Sequence, residues 1–407
     1  MTFTSFSFDK RIDACVKACG YETPTPIQNQ TIPLILQGHD VMGQAQTGTG
    51  KTAAFALPIL QRLLDGGPAG NTPKALVLAP TRELALQINQ NFNELSRNTG
   101  IRTAVVIGGV SMGSQIRALR SANIVIACPG RLIALLAQKA VSLRGVETLV
   151  LDEADRMLDI GFLPDIKRIL AKLPAKRQNL LFSATMPKAM QVFARQLLVE
   201  PKSVKIDATS PVASIEHTFY RTHSSGKTRL LEDLIKQTKH NNMIIFTRTK
   251  RKAKKLSLQL DKRGYRATFL QGNMSQGQRE KALKGFCSGK FPIMVATDIA
   301  ARGIDCDRIT HVINYDMPDT VEAYTHRTGR TGRAGRSGTA VSLVTQDDAA
   351  QLRAIQRAIK ISVEQQTFTP KSRTVSPKTT EMPTRDKVAK RPGQNRKRSS
   401  RPGPQSA

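Results

Sequence analysis

Acidic side chains are scarce in this sequence. Only 31 Asp and Glu stand against 62 Lys and Arg over 407 residues, a formal net charge of +31. An excess of that size calls for a polyanionic partner, most often nucleic acid and less often an anionic membrane surface. Long hydrophobic runs are also missing. The apolar stretches at 53–60 and 132–137 stop far short of the ~20 residues a membrane-spanning helix needs. The opening MTFTSFSFDKRID has no basic segment followed by an apolar one, so a secretory signal is not expected and the cytoplasm is. Cysteine is sparse and odd in number: Cys15, Cys19, Cys128, Cys287 and Cys306. Cys15 and Cys19 sit a helical turn apart but have no His or further Cys nearby, which makes a poor metal site. The set reads as small buried hydrophobes in a reducing compartment, not as a disulfide framework.

What is present is a regular alternation. The length predicts two or three domains at ~100–200 residues each. Hydrophobic residues at 40% and charged residues at 23% describe a globular chain. Short runs rich in Val, Ile and Leu recur at 75–79, 103–107, 124–127, 148–151 and 180–183. They recur again at 243–247, 267–270, 293–297, 311–314 and 339–344. Helical patterns separate them. Strands buried on both faces look like this, and the alternation predicts an α/β protein with doubly wound parallel sheets. No close sequence repeat is visible.

The rhythm lapses over 203–214, SVKIDATSPVAS, which reads as a connection between two domains. The expected organisation is a first domain at 1–207, a linker at 208–214, a second domain at 215–362 and a tail at 363–407. From Thr367 onward there are eleven Lys and Arg against Glu381 and Asp386, with six prolines and almost no aliphatics. That segment cannot bury enough apolar area to offset its ordering entropy, so a disordered basic tail is expected. The tail carries +9, which leaves +22 on the two-domain body.

Three constellations carry chemistry. The first is AQTGTGKT, residues 45–52, between a short apolar stretch and a helical pattern. Small residues here let backbone N–H groups turn toward a phosphate at a helix N-terminus. Lys51 then reaches the β- and γ-phosphates, and the Thr52 hydroxyl ligates Mg²⁺. The second is Asp152-Glu153-Ala154-Asp155, directly after an apolar strand. There Asp152 can hold Mg²⁺ and Glu153 can polarise an attacking water; acids decorating a helix start would look the same in isolation. The third is HRTGRTGRAGR at 326–336. It reads either as a flexible RNA-binding loop or as a source of arginine fingers, Arg330 and Arg333, for the γ-phosphate.

Together these residues resemble a DEAD-box ATP-dependent RNA helicase, in the family's motif order over residues 3–345. AQTGTGKT is that family's form of the P-loop. The resemblance implies two tandem RecA-like domains, with ATP and Mg²⁺ as cofactors and RNA as partner. GYETPTPIQ at 20–28 resembles the Q motif, which implies nucleotide contacts from Tyr21 and from Gln28, the latter on the adenine edge. The family's upstream aromatic, which stacks on adenine, falls at Phe3, with Phe6 and Phe8 close by. Gln46, Thr47, Gly48, Thr49, Gly50, Lys51 and Thr52 would surround the phosphates, and Asp305 would bind the ribose. RNA contacts are implied at Arg82 (PTRELALQ), Gly109, Arg131 (PGR), Thr249, Gly272 and Thr297. Ser183 and Thr185 (SAT), with His326, would couple nucleotide state to unwinding.

Three departures stand out. Cys128 replaces the usual Thr, QGN at 271–273 replaces HGD, and Thr328 replaces Ile. The first removes a hydroxyl, so no RNA contact is assigned to that side chain, and neither of the other two positions carries the phosphate chemistry. The near-minimal core with a basic extension resembles the bacterial RhlE-like subgroup. The expected mechanism is closure of the two domains on ATP and RNA, bringing Arg330 and Arg333 onto phosphates held by Lys51 and Thr52. RNA would be gripped by its backbone with little base specificity, by a monomer, with ribosomal precursors or RNA-decay assemblies as candidate settings and no membrane partner. Two other classes compete: a non-enzymatic RNA chaperone with a vestigial nucleotide site, and a DNA motor on the same fold.

Overall fold

The computed structural model describes residues 2–46, 48–66, 72–206, 215–238, 242–301, 304, 306, 308–332, 337–359 and 365–367. The predicted Thr47, Asp305 and Arg333, the 208–214 linker and the tail from 368 lie outside the described residues.

Short β-branched runs flanked by polar turns form strands buried on both faces. In the first half these are β1 (Val41–Gln44), β2 (Ala75–Leu78), β3 (Thr103–Val106), β4 (Ile124–Ala127), β5 (Thr148–Leu151), β6 (Gln178–Ser183) and β7 (Lys202–Lys205). The second half contributes β8 (Ile215–Arg221), β9 (Asn242–Phe246), β10 (Ala267–Leu270), β11 (Ile293–Ala296), β12 (Ile309–Asn314), β13 (Gly338–Val344) and β14 (Gln365–Thr367). They make two seven-stranded sheets, ordered β3-β4-β2-β5-β6-β1-β7 and β10-β11-β9-β12-β13-β8-β14. Every pairing is parallel. Along β2 the side chains alternate, Ala75 and Val77 entering one core and Leu76 and Leu78 the other. Helices cover both faces, as doubly wound sheets require. Both sheets belong to one compact unit.

Adding seven to each strand number of the first sheet gives the order of the second, so the fold is an internal duplication that the sequence does not display. The duplication places Gly226-Lys227-Thr228 after β8, where Gly50-Lys51-Thr52 follow β1. In the second copy the lysine is consumed by the protein itself. Lys227 donates to the Tyr315 carbonyl at 2.9 Å and lies 3.9 Å from the carboxylates of Asp316 and Asp348. Burial pushes its pKa down, while those two acids pull it up.

Two sequence expectations need correction. Residues 203–205, taken as linker, belong to β7, which pairs with β1. Only Val204 of that edge strand is buried, so it shows no apolar run. Likewise 365–367, assigned to the tail beginning at 363, form β14 against β8; the second domain therefore extends past 362. The missed β8 alternates buried and exposed positions where the search had been for continuous runs. None of the five cysteines forms a disulfide. No helix among the described residues is long and apolar enough to cross a membrane.

Candidate active site

The P-loop leads from β1 into the helix Lys51–Asp65 through Gly48 and Gly50, both at positive φ (84° and 87°). A Cβ on Gly50 would lie 2.5 Å from Nε2 of Gln28. Position 50 thus needs glycine for conformation and for space alike. Gln28 sits in the helix Pro26–Leu36, which starts at Thr25. Its Oε1 accepts from the Thr25 N–H at 2.8 Å, and its Nε2 donates to the Gly50 carbonyl at 3.0 Å. The buried Lys51 donates from Nζ to the Ala45 carbonyl at 2.6 Å, and Thr49 Oγ1 donates to Gln46 O at 2.7 Å. The loop is therefore held in shape by its own polar groups. Phe3, Phe6 and Phe8 are all buried, and Phe3 stacks on Tyr21 with ring centroids 6.0 Å apart.

At the C-terminal end of β5, Asp152 and Glu153 are buried. Burial pushes Asp152 up to about 6, against the pull of the nearby Lys51 ammonium. Glu153 adopts the left-handed conformation, φ 51° and ψ 51°, a strained choice for a residue with a Cβ. Its carboxylate pairs with Arg156. Burial alone would raise the Glu153 pKa, but Arg156, Arg330 and Lys51 together hold it below the usual carboxylate range. Asp155 reaches the next strand end. Its Oδ2 accepts from both the N–H and the hydroxyl of Thr185 at 2.8 Å, while Ser183 Oγ accepts from the Asp155 N–H at 3.3 Å and donates to Thr185 O at 2.7 Å.

The second domain supplies the opposite wall. Arg330 is buried and donates to the carbonyls of Ile304 (2.9 Å) and His326 (3.2 Å). Two adjoining cavities share Gly48, Glu153 and Arg330. One, of about 240 Å³, adds Tyr21, Gly50, Lys51, Thr52 and Asp152. The other, of about 220 Å³, adds Gln46, Thr49, Thr185 and His326. Arg327 serves the scaffold: it grips Asp298 through two bonds (2.5 and 2.7 Å), donates to Asn314 and Asp316, and stacks on Phe246.

The residues implied for RNA fall at the C-terminal ends of three adjacent strands in each sheet. In the first sheet Arg82 follows β2, Gly109 follows β3 and Arg131 follows β4. Arg82 lies so close over Gly109 (φ 78°) that a Cβ there would meet its Nη1 at 2.3 Å. Arg131 donates to the Val110 carbonyl at 3.1 Å. In the second sheet Thr249 follows β9, Gly272 follows β10 and Thr297 follows β11. Thr81 and Thr249, at equivalent places, each cap their helix by accepting an N–H at 3.2 Å. Between the two groups runs a buried ion pair, Arg279 Nε to Glu83 Oε1 at 2.6 Å.

The three departures have local explanations. Thr328 satisfies its hydroxyl on Tyr324 O at 3.0 Å. Asn273 accepts from Lys250 Nζ at 3.0 Å. Cys128 precedes the helix Pro129–Ala137 without capping it, and burial pushes its thiol up to about 12. Sequence reasoning missed Arg156, Arg279 and the Glu83 partnership. It passed over Asp155, although the four-letter motif contains it.

Comparison with known proteins decides the family. The DEAD/DEAH box helicase family profile matches residues 25–193, and the helicase conserved C-terminal domain matches 226–335. The ATP-dependent RNA helicase CshA of Listeria monocytogenes is 41% identical over 360 residues, 88% of this chain and 69% of that protein. This chain belongs to the DEAD-box ATP-dependent RNA helicases. Two solved helicase structures share its fold at a TM-score of 0.81. S. cerevisiae Dbp5 bound to RNA and ADP BeF3 is 29% identical, covering 90% of this chain and 95% of that one. Mss116p bound to ssRNA and AMP-PNP is 30% identical, covering 91% and 80%. The two α/β units are thus RecA-like helicase domains, and the activity is that of an RNA-stimulated ATPase. The comparisons do not confirm the narrower RhlE-like placement.

Proposed function

We propose that this DEAD-box helicase closes its two domains when ATP and RNA bind together, uses that closure to bend and separate RNA strands, and resets by hydrolysing ATP at the cavity between the domains. The observation that carries this reading is the facing of Glu153, from the first domain, and Arg330, from the second, across the P-loop. Neither domain alone has the acid, the lysine and the finger arginine. Lys51 and the backbone of Gly48–Thr52 take the phosphates, Tyr21 and Gln28 take the base, and Phe3 backs Tyr21. The surroundings of Glu153 hold it ionised, as an acceptor for a proton from water must be. Arg330, joined by Arg333, offsets charge on the γ-phosphate, and Asp305 holds the ribose.

The residues fit Mg²⁺. Thr52 and Asp152 offer hard oxygen donors on one cavity wall beside Lys51. That suits an ion that arrives with the nucleotide phosphates. When bound, Mg²⁺ would neutralise phosphate charge. The Asp155–Thr185–Ser183 network passes the state of Glu153 to β6, while His326 does the same from the other wall.

RNA lies across Arg82, Gly109 and Arg131 on one side and Thr249, Gly272 and Thr297 on the other, bound by phosphate and 2′-OH groups with little base preference. The RNA- and nucleotide-bound state of both solved relatives supports this reading. We place the protein in the cytoplasm as a monomer, with domain limits at the 208–214 linker. Glu153→Gln should keep ATP affinity within a few-fold while RNA-stimulated turnover falls ~10²–10⁴-fold. Turnover equal to the unmodified protein would refute the role of Glu153. Comparing RNA with DNA as activators separates this reading from a DNA motor.

A further inference from the structure

We propose that the outer face of the helix Lys250–Lys262 is a second RNA-phosphate contact, which extends the groove outward from Thr249. The proposal rests on the reading that RNA crosses Thr249 and Gly272. Residues 250–263, KRKAKKLSLQLDKR, contain seven cations and one acid. Ala253, Leu256, Ser257 and Leu260 face the core. Three cations are employed by the fold: Lys252 pairs with Asp316 at 2.6 Å, Lys250 bonds Asn273, and Arg263 pairs with Glu232. The other four, Arg251, Lys254, Lys255 and Lys262, are exposed and have no acidic partner among the described residues.

Their spacing of i, i+3, i+4 and i+11 puts them on one side of the helix, in a stripe ~16 Å long. Nothing in the fold accounts for the stripe. Like charges at i+3 and i+4 repel, and three cations in the first turn oppose the positive end of the helix dipole. An anion lying against the stripe would relieve both. The duplicated fold supplies the control. The equivalent helix after β2, Arg82–Leu95, carries one Arg and two Glu, so the stripe is not a requirement of the architecture. Its start adjoins the groove, because Lys250 Cε lies 3.4 Å from where a Cβ on Gly272 would stand. A strand leaving the groove past Gly272 therefore meets Arg251 first and Lys262 last.

The test replaces Arg251, Lys254, Lys255 and Lys262 with Gln in the full chain and measures RNA binding with AMP-PNP present. Two RNAs are compared, one just filling the groove and one carrying a flanking duplex. The proposal expects the short RNA to bind and to stimulate ATP hydrolysis as in the parent. The long one should bind at least tenfold more weakly, with a salt slope reduced by ~3. Equal affinities for the long RNA, or an equal loss on both RNAs, would overturn it. Failure of the short RNA to stimulate the parent protein would instead overturn the groove reading. A second variant, with the same four positions as Lys or Arg exchanged for each other, should bind the long RNA like the parent.

Discussion

Glu153 concentrates the energetic cost of this site into one residue. Its backbone is left-handed, its side chain is buried, and three cations from two domains are needed to keep it charged. His217 shows the opposite treatment of a titratable group. It sits beneath Tyr324, with Nδ1 2.7 Å from the hydroxyl, and burial pushes it down to about 4. The unfolded chain takes up that proton near pH 6.5. Stability is therefore fully present above pH 6.5 and is lost as pH falls toward 4, because the unfolded state binds the proton first. We expect a contribution of about 1–2 kcal/mol, discounted for partial solvent access. Urea unfolding at pH 7 and pH 5 should show the parent losing that much more stability than His217→Gln; parallel losses would refute it.

At the level of elements, the P-loop and the acidic motif were legible because phosphate chemistry fixes both residue type and spacing. Their supports were not. Gln28 gripping Gly50 joins positions 22 apart, and Arg279 with Glu83 joins positions 196 apart; local patterns do not reach so far. The edge strand β7, with one buried residue, and β8, whose buried positions alternate with more exposed ones, escaped because neither has a continuous apolar run. The second Gly-Lys-Thr shows how far a local motif can be spent on structure. Removing Lys227 takes the cation from beside the buried Asp348 and leaves Asp316 paired with Lys252, so Lys227→Met should cost ~1–3 kcal/mol. ATP affinity of the folded variant should be unchanged, whereas Lys51→Met should abolish it. Calorimetric melting and nucleotide titration measure the two effects separately.

For the whole molecule, the duplication explains why one chain can grip RNA and clasp ATP in a single movement. The same ends of equivalent strands carry the residues proposed to contact RNA in both domains, while the P-loop of one meets the arginine of the other. The body carries +22, the sign of charge that the proposed groove and the basic helix beside it need for an RNA backbone. Glu83 and Arg279 lock the two halves between these sites, so Arg279→Gln should weaken closure without touching the P-loop. The direct measurement is the distance between dyes placed on the two domains, read by single-molecule fluorescence transfer. The account predicts a short-distance state populated when AMP-PNP and RNA are present together, sparse with either alone, and depleted in Arg279→Gln and Arg330→Ala. A short-distance state equally populated without ligands, or unaffected by Arg330→Ala, would contradict it.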